Sequence, residues 1–188
     1  MDQLLAMLSS IHPLSDELKT YFDKALKVQE FSRKQHLLKA GHICRNIFFI
    51  EKGICRCFYM KGDIEVCSWF MSEGDIIVSV ESFFEQQKSY ESIQALEDMV
   101  VYYISYQELE HIYRHYTEFN FIGRMLLQKY YKLSEQRLYS MRMQTAVQRY
   151  QFLLEHFPEI IKRVSTTDIA SYLGITRETL SRIKSPIK

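Results

Sequence analysis

Residues 165–183 read Ser165-Thr166-Thr167-Asp168-Ile169-Ala170-Ser171-Tyr172-Leu173-Gly174-Ile175-Thr176-Arg177-Glu178-Thr179-Leu180-Ser181-Arg182-Ile183. Ile169, Leu173, Ile175, Leu180 and Ile183 supply the apolar positions of two short helices. Ala170 falls where those helices would cross closely. Gly174 falls where the chain must turn, and glycine accepts positive φ there without Cβ strain. Ser165-x-x-Asp168 resembles a capping box for the first helix, and Thr176 is the N-cap of the second. This is a helix-turn-helix pattern. An ordinary helical hairpin shares the apolar spacing but seldom combines it with the small residue, the turn glycine and an Arg-Glu-Thr start.

The second helix carries the polar side chains that DNA reading needs. Arg177 and Arg182 suit bidentate bonds to guanine, and Glu178 can accept from the cytosine amino group. Arg177, Glu178 and Arg182 are the expected base or phosphate contacts, with Thr179 beside them. Thr166, Thr167, Ser181 and Lys184 are expected on the phosphate backbone. Net charge points the same way. The chain totals +1, but residues 118–188 hold 12 Lys/Arg against 6 Asp/Glu and residues 1–117 the remaining 12 against 17. The partner of the basic third is therefore expected to be double-stranded DNA.

Upstream, Glu108 to Tyr116, Glu118 to Met143 and Thr145 to His156 have a helical period. The middle helix would run about 39 Å at 1.5 Å per residue. Phe119, Ile122, Leu126 and Leu133 form its apolar seam, expected to be the dimer contact, widened by Phe121, Met125, Tyr130 and Leu138. Two such surfaces on one helix imply two things to pack against, one of them a second copy of the chain. Residues 2–10 and 15–26 are two shorter helices separated by Pro13, with Ser15 as N-cap of the second.

Between these helices Gly41, Gly53, Gly62 and Gly74 are spaced 12, 9 and 12 residues apart. Alternation places Ile54, Arg56 and Phe58 opposite Cys55, Cys57 and Tyr59. Ile64, Val66, Ser68 and Phe70 alternate likewise with Glu65, Cys67, Trp69 and Met71. Lys61-Gly62-Asp63 between these runs signals a hairpin. Further strands are expected at Asp75 to Val78, Ser92 to Leu96 and Met99 to Ile104, which suggests a barrel, roll or sandwich.

Composition narrows the function class. With 47% hydrophobic and 25% charged residues the chain of 188 is globular. No apolar run approaches the roughly 18 residues of a membrane span, and Met1-Asp2-Gln3 has no basic region ahead of an apolar block, so a cytoplasmic chain is expected. Cys44, Cys55, Cys57 and Cys67 include no Cys-x-x-Cys and are expected as reduced thiols. His111 and His115 stand at i, i+4, but the flanking Glu110 and Arg114 fit a solvated helix face, and His36 and His42 lack cupin spacing. No metal site is expected. With no phosphate-cradling glycine loop or nucleophile elbow, an enzyme is not expected either.

The whole pattern resembles the Crp/Fnr family of bacterial transcription regulators. The resemblance is most specific in Thr176-Arg177-Glu178-Thr179-Leu180-Ser181-Arg182-Ile183. It extends to Leu38-Lys39-Ala40-Gly41, Ile50-Glu51-Lys52-Gly53, Phe70-Met71-Ser72-Glu73-Gly74-Asp75 and Arg149-Tyr150-Gln151-Phe152-Leu153-Leu154. It implies an α+β chain. Residues 1–117 would be a double-stranded β-helix (jelly-roll), a cyclic-nucleotide-binding-like effector domain. Residues 118–143 would be the dimerisation helix and 144–188 the helix-turn-helix domain. It further implies a homodimer reading a two-fold-related site with half-sites roughly 34–36 Å apart, and RNA polymerase as a further partner.

The resemblance fails at the cyclic-nucleotide cassette. Members that bind cAMP use a Gly-Glu pair and an Arg-Ser pair. Here Val78-Ser79-Val80-Glu81-Ser82 keeps Glu81 but has Val80 in the glycine place, and Ser89-Tyr90-Glu91-Ser92 contains no arginine. Glu81, Ser82, Ser89 and Tyr90 are the expected pocket residues. A buried cyclic phosphate without a fixed cation would be poorly compensated, so the small-molecule effector is expected to be something other than cAMP, and no cofactor is assigned. The Fnr branch holds an iron–sulfur cluster through N-terminal cysteines, which this chain lacks; Cys55, Cys57 and Cys67 leave a redox role open. The alternative function is a ligand-binding or protein-interaction module with a vestigial helix-turn-helix. Pro186 gives it room by stopping any helix close behind Ile183.

Overall fold

The computed structural model describes residues 1–185; Pro186, expected to end the last helix, lies outside them. Two helices, α1 (Asp2–Ile11) and α2 (Asp16–Ala25), precede the sheets. Ser15 caps α2 by accepting from the Leu18 amide. Eight strands follow: β1 (Lys27–Phe31), β2 (His36–Leu38), β3 (Asn46–Lys52), β4 (Cys55–Lys61), β5 (Ile64–Met71), β6 (Ile76–Ile77), β7 (Glu91–Ala95) and β8 (Met99–Ser105). They form two four-stranded antiparallel sheets, ordered β1-β8-β3-β6 and β2-β7-β4-β5. A short helix, α3 (Val80–Glu85), interrupts between β6 and β7. Lys61 pairs with Ile64 across the expected hairpin.

Inward residues of both sheets close one core with the N-terminal helices. Cys55 and Cys57 from β4, Ile93 and Ala95 from β7, and Ile50 and Val101 from the other sheet are all buried there. β1, β2 and α3 had no counterpart in the expected elements; they are short, and their order comes from pairing and packing rather than from period.

Helices α4 (Tyr106–His115) and α5 (Thr117–Met143) leave the roll. Ser105 and Glu108 make a full capping box at the start of α4. The first turns of α5 belong to the core of the roll. Phe119 is 5% exposed and Ile122 is fully buried, with Leu126 packed against the same cluster. Tyr130 fixes α5 further along, its hydroxyl accepting from the Ile76 amide at 2.7 Å. This corrects the expected dimer seam, since Phe119 and Ile122 are consumed within their own chain. Leu133 is half-buried.

The chain ends in α6 (Ala146–His156), α7 (Pro158–Arg163), α8 (Thr166–Leu173) and α9 (Arg177–Lys184). A second core joins them through Leu153, Ile160, Ile169, Leu173 and Leu180. Ile54, from the turn between β3 and β4, is fully buried in this cluster rather than in the roll. The contact between the two cores is also ionic. Arg56 on β4 bonds Asp168 on α8, and Arg163 reaches both Glu73 and Glu97. Asp168 does not complete a capping box: its carboxylate accepts from Arg56 and from the Ser165 hydroxyl rather than from the Ser165 amide, while that hydroxyl still accepts from the Asp168 amide.

The Arg163 guanidinium holds the Glu73 carboxyl down to about 2 from its ordinary 4.5, with the Gly53 amide helping. A carboxyl depressed in the folded state stabilises it fully above its unfolded pKa and ceases to do so as pH falls. Stability is therefore expected to fall between pH 4.5 and 2 in part through this group. Urea titrations across that range check it: Glu73→Gln should show a shallower loss than the parent, and an identical slope would remove Glu73 from the account.

Candidate functional site

Two regions concentrate chemistry, the far helix pair and the interior of the roll. In the first, α8 and α9 form a hairpin. Gly174 turns it at φ +66°, in the left-handed region, and its amide closes on the Ala170 and Ser171 carbonyls. Arg149 on α6 braces the same corner, donating to the Leu173 carbonyl at 2.9 Å and the Gln144 carbonyl at 2.6 Å. Thr176 caps α9 by accepting from the Thr179 amide. Leu180 points back into the core and is fully buried.

The remaining face of α9 is open. Arg177, Glu178, Ser181, Arg182 and Lys184 are exposed, and Thr179 is half-buried. Arg182 lies over the helix start, donating to the Thr179 hydroxyl at 3.3 Å. The backbone amide at the start of α9 and the Thr176 hydroxyl hold the Glu178 carboxyl below its usual range. Thr166 and Thr167 stand exposed in the first turn of α8. All eight side chains singled out in the sequence thus fall on α8 and α9, seven of them exposed.

On α5, a different stripe from the expected one remains uncovered. Leu127 and Tyr131 are each 65% exposed, and Leu138 and Met141 continue the line a heptad and ten residues beyond Tyr131. With Ser134 between them these positions step by 4, 3, 4 and 3, the spacing of a coiled-coil seam. The signal was present in the sequence, but two apolar stripes on one helix cannot be ranked until one is seen to be buried.

Inside the roll lies a cavity of about 320 Å³, open between the sheets and α5. Its walls are mostly apolar and include Trp69, Met71, Ile77 and Val78. Of the four residues singled out for a pocket, Glu81 and Tyr90 line it. Ser82 and Ser89 do not. Ser82 is buried and accepts from the Cys44 amide at 2.9 Å, and Ser89 bonds the Ser79 hydroxyl and the Glu91 backbone. These two serines shape the loop and are spent there.

The residue missed was Glu91. It pairs with Tyr59 across β4 and β7, and both side chains line the cavity. Burial raises the Glu91 carboxyl above its ordinary value, opposed by the neighbouring Ser79 and Tyr59 hydroxyls. Burial likewise pushes the Tyr59 phenol up to about 12, with Glu91 adding to the rise. The stacked rings of Tyr59 and Tyr90 stand 5.6 Å apart at the rim, and Glu81 holds the Tyr90 phenol above its usual value.

The cysteines are free and buried. Burial raises Cys55 and Cys57 above the ordinary thiol range and Cys67 to about 12, which keeps them protonated and poorly nucleophilic. His111 and His115 are stacked and exposed, as a solvated face would be. Among the described residues, no helix is long and apolar enough to cross a membrane.

Comparison with known proteins fits this arrangement. Residues 28–116 match the family model described as the cyclic nucleotide-binding domain. No curated protein matches the sequence. Among solved structures, a CooA mutant from Carboxydothermus hydrogenoformans is similar at TM-score 0.69 and 21% identity, covering 97% of this chain and 83% of that one. FixK2 from Bradyrhizobium japonicum is similar at TM-score 0.70 and 19% identity, covering 84% and 82%. A protein of the crp/fnr family from Eubacterium rectale gives TM-score 0.71 and 16% identity, covering 90% and 82%. Residues 28–116 are therefore similar to a cyclic nucleotide-binding domain, set within a chain that shares the fold of these solved structures, one of them a member of the crp/fnr family.

Proposed function

We propose that the chain is a sequence-specific DNA-binding transcription regulator, working as a homodimer on a two-fold-related site. The observation that carries this is the open face of α9, where Arg177, Glu178 and Arg182 stand exposed on a helix braced from behind by Leu180. A surface helix needs solubility, which any charges supply. Two guanidinium groups and a carboxylate flanked by hydroxyls also match the donor and acceptor edges of the major groove. α8 and α9 are read as the helix-turn-helix, with Thr166, Thr167, Ser181 and Lys184 on phosphates. One eight-residue helix offers few base contacts, so a second copy is needed for useful affinity. The exposed line Leu127, Tyr131, Leu138 and Met141 is the surface that would pair two copies. The roll is the sensing part, and its effector is not a cyclic nucleotide monophosphate.

The test is selection of duplexes from random DNA followed by binding assays at stated salt. Arg177→Ala is expected to cost about 1–3 kcal/mol on the selected duplex and to relax preference at the base it reads. Because Arg177 is exposed, the fold should be unaffected. Unchanged affinity and unchanged preference would reject this docking of α9.

A further inference from the structure

The cavity in the roll carries more than the statement that cyclic nucleotides fit it badly. Its volume of about 320 Å³ lies at the small end of ligand pockets. Among the described residues that line it, Glu81 and Glu91 alone carry charge, and both are acidic. Register fixes Glu91 in this position. Cys57 pairs with Ile93 and Tyr59 with Glu91, so Tyr59 and Glu91, two residues along each strand, share the interior face with Cys57 and Ile93. The carboxylate cannot turn outward without reversing the buried pair Cys57 and Ile93.

The aromatic residues surround the same end. Tyr59 and Tyr90 stack there, and Phe84, Trp69 and Tyr90 line the walls and mouth. Tyr90, Phe84 and Val80 remain exposed at that mouth. An isolated carboxylate in such surroundings is costly to ionise, and an anionic ligand beside it would be repelled. A cation reverses both effects. It pairs with the carboxylates, and its charge is further stabilised over the faces of the tyrosine rings.

We propose that the roll binds a lipophilic ammonium compound: a small apolar body seated against Trp69, Met71 and Val78, with its cationic head between Glu91, Glu81, Tyr59 and Tyr90. Binding of this class is a property of the cavity. That it controls DNA binding rests on the regulator function proposed above. A ligand acts on that function only if it favours one arrangement of α5 and the end helices over another. α5 contributes Leu126 and Tyr130 to the cavity wall, so occupancy is placed to be felt there.

Trp69 is the one tryptophan of the chain and lines the cavity, so its emission reports occupancy directly. The full chain is titrated with phenylbutylamine, phenylbutanol and phenylbutanoate, which share a body and differ in the head group, and with cAMP. The amine is expected to change Trp69 emission saturably and to bind at least about tenfold more tightly than the carboxylate, as a charged hydrogen-bonded pair warrants. Glu91→Gln is expected to remove most of that preference, and Glu81→Gln a smaller part. The comparison of head groups in the parent protein needs no variant, so it stands if a variant fails to fold. Equal or tighter binding of the carboxylate or of cAMP overturns the proposal, as does absence of binding by the amine. Preference that survives in a folded Glu91→Gln protein overturns the placement of the head. Duplex binding of the same preparation is measured separately, with and without the amine: its absence in both, with amine binding intact, would reject the regulator function and leave the ligand class standing.

Discussion

Substituting Leu127→Glu together with Leu138→Glu is expected to turn a dimer into a monomer and to weaken binding to a two-fold duplex by about 100-fold or more, the factor a linked second site contributes. Both side chains lie on the uncovered face of α5, 65% and 46% exposed. Neither belongs to the core of the roll, although Leu127 touches the edge of its cavity, so helix content should not change. In a pair of parallel helices each glutamate would face its counterpart across a closed seam, where like charges repel and lose water. Sedimentation reads the first effect and duplex titration the second. A protein that remains dimeric with these substitutions uses a different surface. A control at Phe119 or Ile122 would be uninformative, because those residues are buried in their own chain and their loss would disturb the roll itself.

Ile54→Ala is expected to loosen the end helices from the roll at a cost of about 2–5 kcal/mol, the usual range for deleting buried methylenes and leaving a cavity. Ile54 is fully buried among Leu153, Ile169, Leu173 and Leu180, although its chain neighbours belong to the sheets. The effect should be local. Hydrogen exchange at the amides of α8 is expected to speed up, while amides of β3, β4 and β8 keep their protection. Uniform acceleration across the chain would mean that Ile54 supports the roll. No change would mean that the ion pairs from Arg56 and Arg163 hold the contact unaided. The Arg163 pairs are partly exposed and contribute little each, and in the largely buried Arg56–Asp168 pair the cost of desolvation offsets much of the attraction, so the apolar contact is expected to dominate.

Much of this molecule could be read from its residues because local chemistry and tertiary packing agree. Gly174 turns where the helix pair requires it, Thr176 and Ser165 cap the helices they precede, and Gly62 lies in the turn between β4 and β5. Other features were hidden for physical reasons. β1 and β2 expose most of their residues or are too short to alternate. α3 has six residues and is held by its loop, with Ser82 bonded to the strand approach at Cys44. The stripes on α5 were legible, but not which one faces home, since periodicity gives spacing and not partners. Glu91 is not legible as a pocket residue from the sequence alone. Its orientation depends on pairing with Tyr59, and that depends on the register of β4 against β7, which no single strand encodes.

Central to the account is that α9 reads duplex DNA from a paired molecule. Fluorescence anisotropy with a selected two-fold duplex, repeated over a range of salt concentrations and against a scrambled duplex and an isolated half-site, tests it most directly. The account predicts discrimination against the scrambled sequence, markedly weaker binding to the half-site, and a linear fall of log affinity with log salt from phosphate contacts. Equal, salt-insensitive affinity for all three duplexes, or none at low salt, would contradict it.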